Sequence, residues 1–439
     1  MVTVAAAEQH PGYAGGSEGL EKTRLVLGFI PLTDCVPLVV AQERGYFGKY
    51  GLEVTLSRES SWANIRDKVA TGVLDGAHML APMPIATTLG LGGVRKATIA
   101  PLALDLNGNA ITISGDLHSR LEHADPRGMA QRPVNATALR RLVGEGGEAG
   151  SLRFASVFPS SSHHYLLRYW LAAAGIDPDR DLGLTVIPPP QMVASLRARE
   201  ISGYCVGEPW NEYAVAQGAG RVLTTSYEIW NNHPEKVFGV NLEWAEAHPN
   251  TLQALLMALL EAAQWIDRPE NRIEAATLLS RPAYVNAPVE VVKRSMSGFF
   301  QYAADEPAVP LPDFHVFYRY AATFPWRSHA LWFLTQMVRW GQVAEPIPLE
   351  RVVEAVYRPD LYRQAARALR LPCPDTDAKA EGIHAGPWEL EIGSGTLPMG
   401  PDRFCDGTRF DPNDPIAYLA DFQIHRRKVR LEDLARCSA

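Results

Sequence analysis

The chain has 439 residues, of which 46% are hydrophobic and 21% charged, a composition that excludes a disordered or collagen-like protein. Because single hydrophobic cores usually stop growing at about 250 to 300 residues, this length predicts two lobes or domains. A net charge of −7 argues against broad nucleic-acid binding, which needs a clustered basic face, but it leaves room for one small electropositive pocket.

The amino terminus does not look like a secretory signal. It lacks a basic region followed by an apolar run of about 7 to 15 residues, and its short run from Val2 to Ala7 is interrupted by Thr3. No later stretch approaches the roughly 20 apolar residues that span a bilayer. We therefore expect a cytoplasmic protein without a membrane segment, unless a leader has been removed, and we expect residues 1–23 to be disordered.

The cysteines predict neither a disulfide framework nor a zinc site. They are widely scattered, odd in number and never spaced as CxxC. Free thiols in a reducing compartment are the simplest interpretation. The five residues are Cys35, Cys205, Cys373, Cys405 and Cys437.

The predicted fold begins at Arg24 with a buried strand, LVLGFI, followed by a loop and a helix over Pro37 to Glu43. The alternating, β-branched segment LEVTLSRE predicts a second strand and completes a strand-helix-strand unit. A helix over Asn64 to Thr71 and the apolar run AHML repeat the pattern. This alternation predicts an α/β class with a parallel sheet.

A second alternating region follows, with strands at LRFASVF and LTVIPPP, helices near His163 to Ala174 and Met192 to Glu200, and the segment GYCVGEPW. Beyond Ala245 the pattern is mostly helical, near 251–267, 288–302 and 328–341, before a tail rich in Pro and Gly. The predicted domains are 24–114 as the first part of lobe 1, 115–220 as lobe 2, 221–375 as a return to lobe 1 with a helical extension, and 376–439 as a tail packing on the lobes.

Two α/β lobes that meet at a cleft place strand ends and helix N-termini on opposite walls of the gap. Unpaired backbone N–H groups and helix dipoles then favour a small anion. The chain contains no P-loop, GxSxG, GxGxxG or HExxH motif. Asp34 and Cys35 fall in the loop after the first strand, but no activating base or oxyanion hole can be assigned to that cysteine. We therefore predict a binding protein and not an enzyme.

Several segments together resemble one family. They are GFIPLTDCVPLVVAQERGYFGKYGLEV, SSWANIRDKV, GAHMLAPMP, NGNAITIS, FPSSSHHYLLRYWLAAAGIDPDRDL, IPPPQMVASL, CVGEPWN and HPEKVF, and, more weakly, FDPNDPIAYLADFQI. The family comprises the nitrate-binding proteins of ABC transporters (NrtA type), their bicarbonate-binding relatives, and the soluble nitrate and nitrite sensors (NasS type). The resemblance implies a type II periplasmic-binding-protein fold, two α/β lobes with the ligand in the cleft between them.

The resemblance also implies a pocket made of a Trp, a Gln, a His, a Gly and a Lys. Four of these positions carry over: Trp62 in SSWANIRD, His163 in FPSSSH, Gly207 in CVGEPWN and Lys236 in HPEKVF. The family's Gln corresponds to Asn109, which is one methylene shorter, so that a water could bridge to the ligand. His164 is the second choice for the histidine.

Each of these residues also has an ordinary structural explanation: a Trp before a helix can fill a core, a His at a helix start can cap it, a Gly can turn the chain, and an isolated Lys is most often a solvated charge. In the cleft, the Trp62 indole would donate to an anion, and the Lys236 ammonium would add a charge-assisted hydrogen bond. Glu208, Pro209 and Trp210 are expected to build the cleft wall, because a carboxylate repels an anion. Bicarbonate-binding relatives replace the lysine with an acidic residue and use calcium, so Lys236 favours nitrate or nitrite without metal or other cofactor.

Three functions remain open. In the sensor group, the ligand-free protein sequesters an RNA-binding antitermination regulator (NasT-like), and nitrate or nitrite releases it; this is the leading expectation, with no direct contact to nucleic acid or membrane. The alternative is the substrate-binding component of a nitrate ABC transporter, which would need export. An enzyme on the same fold, such as relatives that make a pyrimidine precursor, would need a nucleophile or a cofactor lysine that cannot be placed here.

Overall fold

A computed structural model of the chain describes residues 19–144 and 150–438. Most of the predicted amino-terminal segment 1–23 lies outside these residues. Its last part is attached to the fold: the Glu21 carboxylate accepts the Thr251 N–H at 2.9 Å, and Lys22 Nζ lies 2.5 Å from Asp75. Within the described ranges, no helix is long and apolar enough to cross a membrane.

The strands, in chain order, are β1 (Arg24–Phe29), β2 (Glu53–Arg58), β3 (Gly76–Leu80), β4 (Thr98–Asn107), β5 (Asn109–Ile113), β6 (Arg153–Ser156), β7 (Gly183–Val186), β8 (Gly203–Gly207), β9 (Arg221–Thr225), β10 (Pro234–Asn241), β11 (Phe299–Phe300), β12 (Val309–Pro310), β13 (His315–Val316), β14 (Trp388–Ile392) and β15 (Gly395–Met399).

The helices are α1 (Val36–Glu43), α2 (Tyr46–Lys49), α3 (Trp62–Ala70), α4 (Met83–Leu89), α5 (Gly115–Ala124), α6 (Pro126–Met129), α7 (Thr137–Gly144), α8 (Ser162–Ala173), α9 (Met192–Arg197), α10 (Trp210–Ala216), α11 (Ser226–Ile229), α12 (Leu242–Ala247), α13 (Pro249–Ile266), α14 (Arg272–Leu279), α15 (Val289–Met296), α16 (Arg327–Arg339), α17 (Leu349–Val356), α18 (Pro359–Ala368), α19 (Pro415–Ala420) and α20 (Leu431–Ser438). Short 3-10 helices cover Thr33–Cys35, Pro189–Gln191 and Pro269–Asn271.

These strands form two main sheets, one for each lobe. The first has the order β13-β4-β10-β3-β1-β2, and the second has the order β7-β6-β8-β5-β9. β1 runs parallel to β2 and β3, as the strand-helix-strand pattern predicts, but β10 is antiparallel to β3 and β4. The sheet is therefore mixed and not parallel throughout. The reason is topological, because β10 enters the first sheet from the other lobe.

Over the described residues, the chain crosses between the sheets at two points. It leaves the first sheet at Asn107 and enters the second at Asn109, turning at Gly108, whose φ of +87° suits glycine. It returns between the end of β9 and the start of β10. The strands β5 and β9 thus pair in the second sheet, whereas the predicted ranges 24–114 and 221–375 assigned them to lobe 1.

The two crossings are joined to each other. Asn107 Nδ2 donates to Asn232 Oδ1 at 3.1 Å, and the Asn107 N–H donates to the His233 carbonyl at 3.0 Å. Both asparagines have a left-handed backbone, with φ of 65° and 55°, a conformation that Asn tolerates better than most residues. The connection between the lobes is therefore a bonded pair of turns.

The carboxy-terminal part of the chain contacts both lobes. The Phe404 ring stacks on Trp230 with a centroid separation of 4.7 Å, and the Tyr169 hydroxyl donates to Asp406 at 2.9 Å, both on the second-lobe side. Met399, at the end of the β14–β15 hairpin, joins the core beneath the first sheet. One predicted helix is shorter than expected: the segment 288–302 ends its helix at Met296, because Gly298 turns the chain with φ +79° before β11.

Candidate functional site

Trp62 begins α3 on the first lobe. The Ser61 side chain caps this helix by accepting the Asn64 N–H at 3.2 Å, which fixes Trp62 in the first turn. The Trp62 side chain is buried, and its indole Nε1 has no hydrogen-bond partner among residues 19–144 and 150–438. A buried N–H that is unpaired costs free energy, so this donor is available to a ligand.

His163 occupies the equivalent place on the second lobe, in the first turn of α8, whose cap is Ser161. It is fully buried, neither ring nitrogen has a hydrogen-bond partner in the part of the chain that the structure describes, and Nε2 lies 3.3 Å from Glu235 Oε1. Burial lowers its pKa to about 4, with Glu235 opposing the shift. His163 is therefore neutral near pH 7.

His164, the second choice, is engaged elsewhere. Its Nε2 accepts from Arg168 Nε at 2.8 Å, and its Nδ1 lies 3.1 Å from Ser156 Oγ. Burial, and then Arg168, lower its pKa to about 3. The structure therefore places His163, and not His164, beside Lys236 and Glu235.

Lys236 lies in β10, fully buried, with its ammonium 5.7 Å from the centre of the Trp62 ring. Its Nζ is 2.6 Å from Asp34 Oδ2 and is also paired with Glu235 Oε1. Burial works against the charged form, but Asp34 and then Glu235 raise the lysine pKa above its ordinary value. Lys236 is a cation that already has two counter-charges.

Asn109 and Gly207 face each other across the second sheet, as directly paired residues of β5 and β8. Asn109 Nδ2 donates to Glu235 Oε2 at 2.5 Å, while its Oδ1 is without a partner within the described residues. A Cβ added at Gly207 would lie 3.2 Å from Asn109 Oδ1 and 3.3 Å from Asp34 Oδ2. A Cβ at this position would crowd Asp34 across the cleft, so glycine suits this close approach of the lobes.

The structure thus brings together all five residues that the motifs indicate, and it adds acidic groups that they did not. Glu235 precedes Lys236, and neighbours in a regular strand point to opposite faces. Irregular register on both sides of Lys236 lets the two side chains meet, and such a bulge leaves no trace in the alternation of the sequence. His78, the polar residue in AHML, bonds Asp34 Oδ1 through Nε2 at 2.7 Å.

Asp105, in β4, is a further buried carboxyl group next to the lysine. Its Oδ1 accepts the Lys236 backbone N–H at 3.1 Å. Burial and the nearby Asp34 raise its pKa well above the usual range, whereas Lys236 and His78 hold that of Asp34 low despite burial. Asp105 is therefore protonated while Asp34 is ionised. Among the described residues, no group of three or more His, Cys, Asp or Glu is arranged to hold a metal ion.

The lobes are closed over these residues. The Thr33 N–H, from lobe 1, donates to the Glu208 carbonyl of lobe 2 at 2.7 Å. The Trp210 indole donates to the Pro31 carbonyl at 3.2 Å. Glu208 is fully buried, and burial, with Glu212 beside it, raises its pKa. The segment 208–210 forms a wall of the closed cleft, and the Glu208 carboxyl group is kept neutral there.

Comparison with known proteins gives the family. The model of the NMT1-like family matches residues 18–280. The chain belongs to this family. It is also 34% identical over 420 residues to the nitrate/nitrite binding protein NrtA of Nostoc sp., covering 94% of this chain and 88% of that protein. This NMT1-like chain is therefore a member of the NrtA-type substrate-binding proteins, as the motifs indicate.

Other relatives are longer. The nitrate import ATP-binding protein NrtC of Synechocystis sp. is 42% identical over 426 residues, which cover 96% of this chain but 58% of NrtC. The chain thus spans little more than half the length of that relative. Among solved structures, the periplasmic nitrate-binding protein NrtA from Synechocystis PCC 6803 superposes with a TM-score of 0.81 at 32% identity, covering 92% of this chain and all of that one. The predicted periplasmic-binding-protein fold is confirmed.

Proposed function

We propose that this NMT1-like chain binds nitrate or nitrite between its two lobes, without a metal. One observation carries the proposal: the Lys236 ammonium lies in the closed cleft beside the ring nitrogens of Trp62 and His163, which have no hydrogen-bond partner within residues 19–144 and 150–438. These groups come from both lobes, so an anion held by them would hold the lobes together. The NrtA relatives, named as nitrate/nitrite binding proteins, support the choice of ligand.

The donors suit a small planar oxyanion. Nitrate and nitrite only accept hydrogen bonds, which matches an indole N–H, an imidazole N–H and an ammonium group. Bicarbonate carries a hydroxyl donor as well, and relatives named as bicarbonate transport proteins also match this chain, at 41% identity in one case. Lys236, where bicarbonate binders have an acidic residue, favours nitrate or nitrite.

We further propose that binding serves regulation in the cytoplasm and not catalysis. NrtC is named as an ATP-binding protein, and such proteins act where ATP is found, so a domain like this chain within NrtC supports a role on the cytoplasmic side. The partner proposed is an RNA-binding antitermination regulator of the NasT type, as in the NasS sensors that the motifs resemble. Because a ligand shifts an equilibrium only by its differential affinity, this partner must prefer the open, ligand-free lobes.

The second candidate is the substrate-binding component of a nitrate ABC transporter. It is supported by the NrtA relatives, which the chain matches over 88% of their length. The two candidates share the pocket and differ in compartment and partner. Cell fractionation separates them: the sensor requires the protein in the cytoplasm, and the transporter component requires it outside the inner membrane.

Calorimetric titration tests the shared claim. We expect nitrate or nitrite to bind, bicarbonate with or without calcium to bind more weakly, and Lys236→Ala to lose at least about tenfold in affinity, or about 1.4 kcal/mol. Lys293→Ala is the matched control, because Lys293 is a solvent-accessible helix lysine paired with Glu290. Equal affinity in both variants would remove Lys236 from the site.

Co-elution tests the regulatory claim. The ligand-free chain is mixed with a purified antitermination regulator and separated by size with and without nitrate. We expect a complex that nitrate dissociates. A complex that is indifferent to nitrate, or that never forms, counts against the sensor and leaves the binding site untouched.

A further inference from the structure

The charges around Lys236 do not balance in favour of an anion. Asp34 and Glu235 are both ionised, because Lys236 lowers the pKa of each against the effect of burial. Both carboxylates contact the ammonium, and all three side chains are buried. The cluster therefore carries one net negative charge before any ligand arrives.

The remaining titratable groups around the cluster do not correct this imbalance. Burial holds Asp105 protonated and keeps His78 and His233 neutral. His315, on β13, lies 3.9 Å from Asp105 Oδ2 and is also neutral, since burial lowers its pKa to about 3. A monovalent anion would thus bring the buried charge to minus two. Two like charges held close together inside the protein repel each other, so the anion alone is disfavoured.

A proton taken up with the anion would offset this repulsion, and the hydrogen bonds together with the distances to ionised carboxylates show which base can take it. His78 is fully engaged: its Nδ1 accepts the Ile30 N–H at 3.5 Å and its Nε2 donates to Asp34. The nitrogen of His233 nearest to Glu235 is Nδ1, which lies 3.0 Å from the Pro234 carbonyl and donates to it. These two nitrogens cannot accept a proton without losing a bond. His233 Nε2 and both ring nitrogens of His315 have no partner among the described residues, but His233 approaches Glu235 only at 3.9 Å, and the acidic group beside His315 is the protonated Asp105.

His163 differs from these three histidines because it combines free ring nitrogens with a close ionised carboxylate. Neither of its ring nitrogens is hydrogen-bonded to any described residue, and Nε2 already lies 3.3 Å from the Glu235 carboxylate. Protonation would give this carboxylate an imidazolium partner and leave the other ring N–H for the ligand. It would also return the cluster with its anion to one net negative charge.

We infer that the site takes its oxyanion together with one proton, which is held on His163 between the ligand and Glu235. The inference rests on the proposed function and specifies the ligand further: the pocket binds the equivalent of the acid, an anion plus a proton. Affinity then falls as pH rises, because the proton must be drawn from a more dilute solution.

Calorimetry measures this uptake directly. Nitrate is titrated into the full chain near about pH 6.5, in two buffers that do not bind and that differ in ionisation enthalpy. We expect the observed binding enthalpy to vary with the ionisation enthalpy of the buffer, with a slope that corresponds to uptake of about one proton. The dissociation constant should rise about tenfold per pH unit above the pKa that His163 has in the ligand-free protein. His163→Gln keeps an N–H donor but does not titrate, so its uptake should fall toward zero.

His164→Gln is the matched control, since His164 is buried next to His163 in the sequence but bonds Ser156 and Arg168. It should bind nitrate with the uptake unchanged. Nitrate binding to the wild-type chain without proton uptake overturns the inference and leaves the proposed function standing. Undiminished uptake in His163→Gln assigns the proton to another group, which also overturns it. Failure of nitrate to bind at any pH contradicts the proposed function itself.

Discussion

Lys236 Nζ lies 2.6 Å from Asp34 Oδ2, so a carboxylate from the segment after β1 neutralises the cation of the anion site before a ligand arrives. The same Asp34 carboxylate accepts from His78. This arrangement keeps a buried lysine charged, since an ammonium without partners would lose its proton. It also weakens the field that an anion would feel.

Asp34→Asn should therefore strengthen nitrate binding. The amide can still accept from His78 or Lys236, and Glu235 remains as a counter-charge, so the lysine stays protonated. Removing one negative charge should raise nitrate affinity about tenfold at neutral pH, a modest fraction of the Coulomb energy at this distance. Calorimetry checks the value. Asp105→Asn is the control: Asp105 is already protonated, so its substitution should alter affinity by less than about threefold, and an equal gain in both variants would refute the electrostatic explanation.

Trp62→Phe removes the indole N–H and keeps an aromatic ring in the core. Because that donor has no partner within the described part of the chain, its loss should leave thermal stability nearly unchanged while nitrate affinity falls about tenfold. Trp230→Phe provides the comparison, since Trp230 is also buried with an Nε1 that has no partner among the described residues, but it stacks on Phe404, whereas the Lys236 ammonium lies over Trp62. Loss of affinity in the Trp230 variant alone would show that Trp62 is not a ligand contact.

The sequence predicted the family and the two alternating α/β regions, because motifs and strand periodicity are local features. The family resemblance implied five ligand positions, and the structure brings these residues together. The sequence assigned Asn109 to lobe 1, since the apolar pattern NAITI does not show which sheet the strand joins; only the turn at Gly108 decides it. It assigned no role to Glu235, because a β-bulge that turns adjacent side chains toward each other cannot be read from alternation. The charge balance of the pocket was therefore beyond the sequence.

Gly207→Ala should weaken binding by obstructing closure of the lobes. Its Cβ would lie 3.3 Å from Asp34 Oδ2 on the other lobe, tighter than ordinary contacts, and Asp34 is held by Lys236 and His78. We expect about a tenfold loss of nitrate affinity and a larger radius of gyration in nitrate by small-angle scattering. Gly115→Ala, at the start of α5 with open space around its Cβ, is the matched substitution. If Gly207→Ala binds and compacts like Gly115→Ala, the close approach is not needed for closure.

The pH dependence of stability tests whether the Glu212 carboxyl group, next to the wall of the cleft, is neutral in the folded protein. Burial raises its pKa to about 7, against the Gln301 N–H and Arg294, which favour the ionised form. A carboxyl group whose pKa is raised on folding stabilises the fold below its unfolded pKa of about 4.5, and this contribution is lost as pH rises toward about 7.

Glu212→Gln cannot ionise, so its stability relative to the wild type should improve as pH rises through the same window, by up to about 1.4 kcal/mol per pH unit. The buried histidines titrate alike in both proteins, so their contribution to the pH dependence of stability cancels in the difference. Urea unfolding near about pH 5 and about pH 7 measures the difference, and Glu290→Gln, at a largely exposed glutamate, should show no such trend. A difference between Glu212→Gln and wild type that stays constant over this range would mean that Glu212 is ionised in the folded protein, with Arg294 as an effective partner 3.6 Å away.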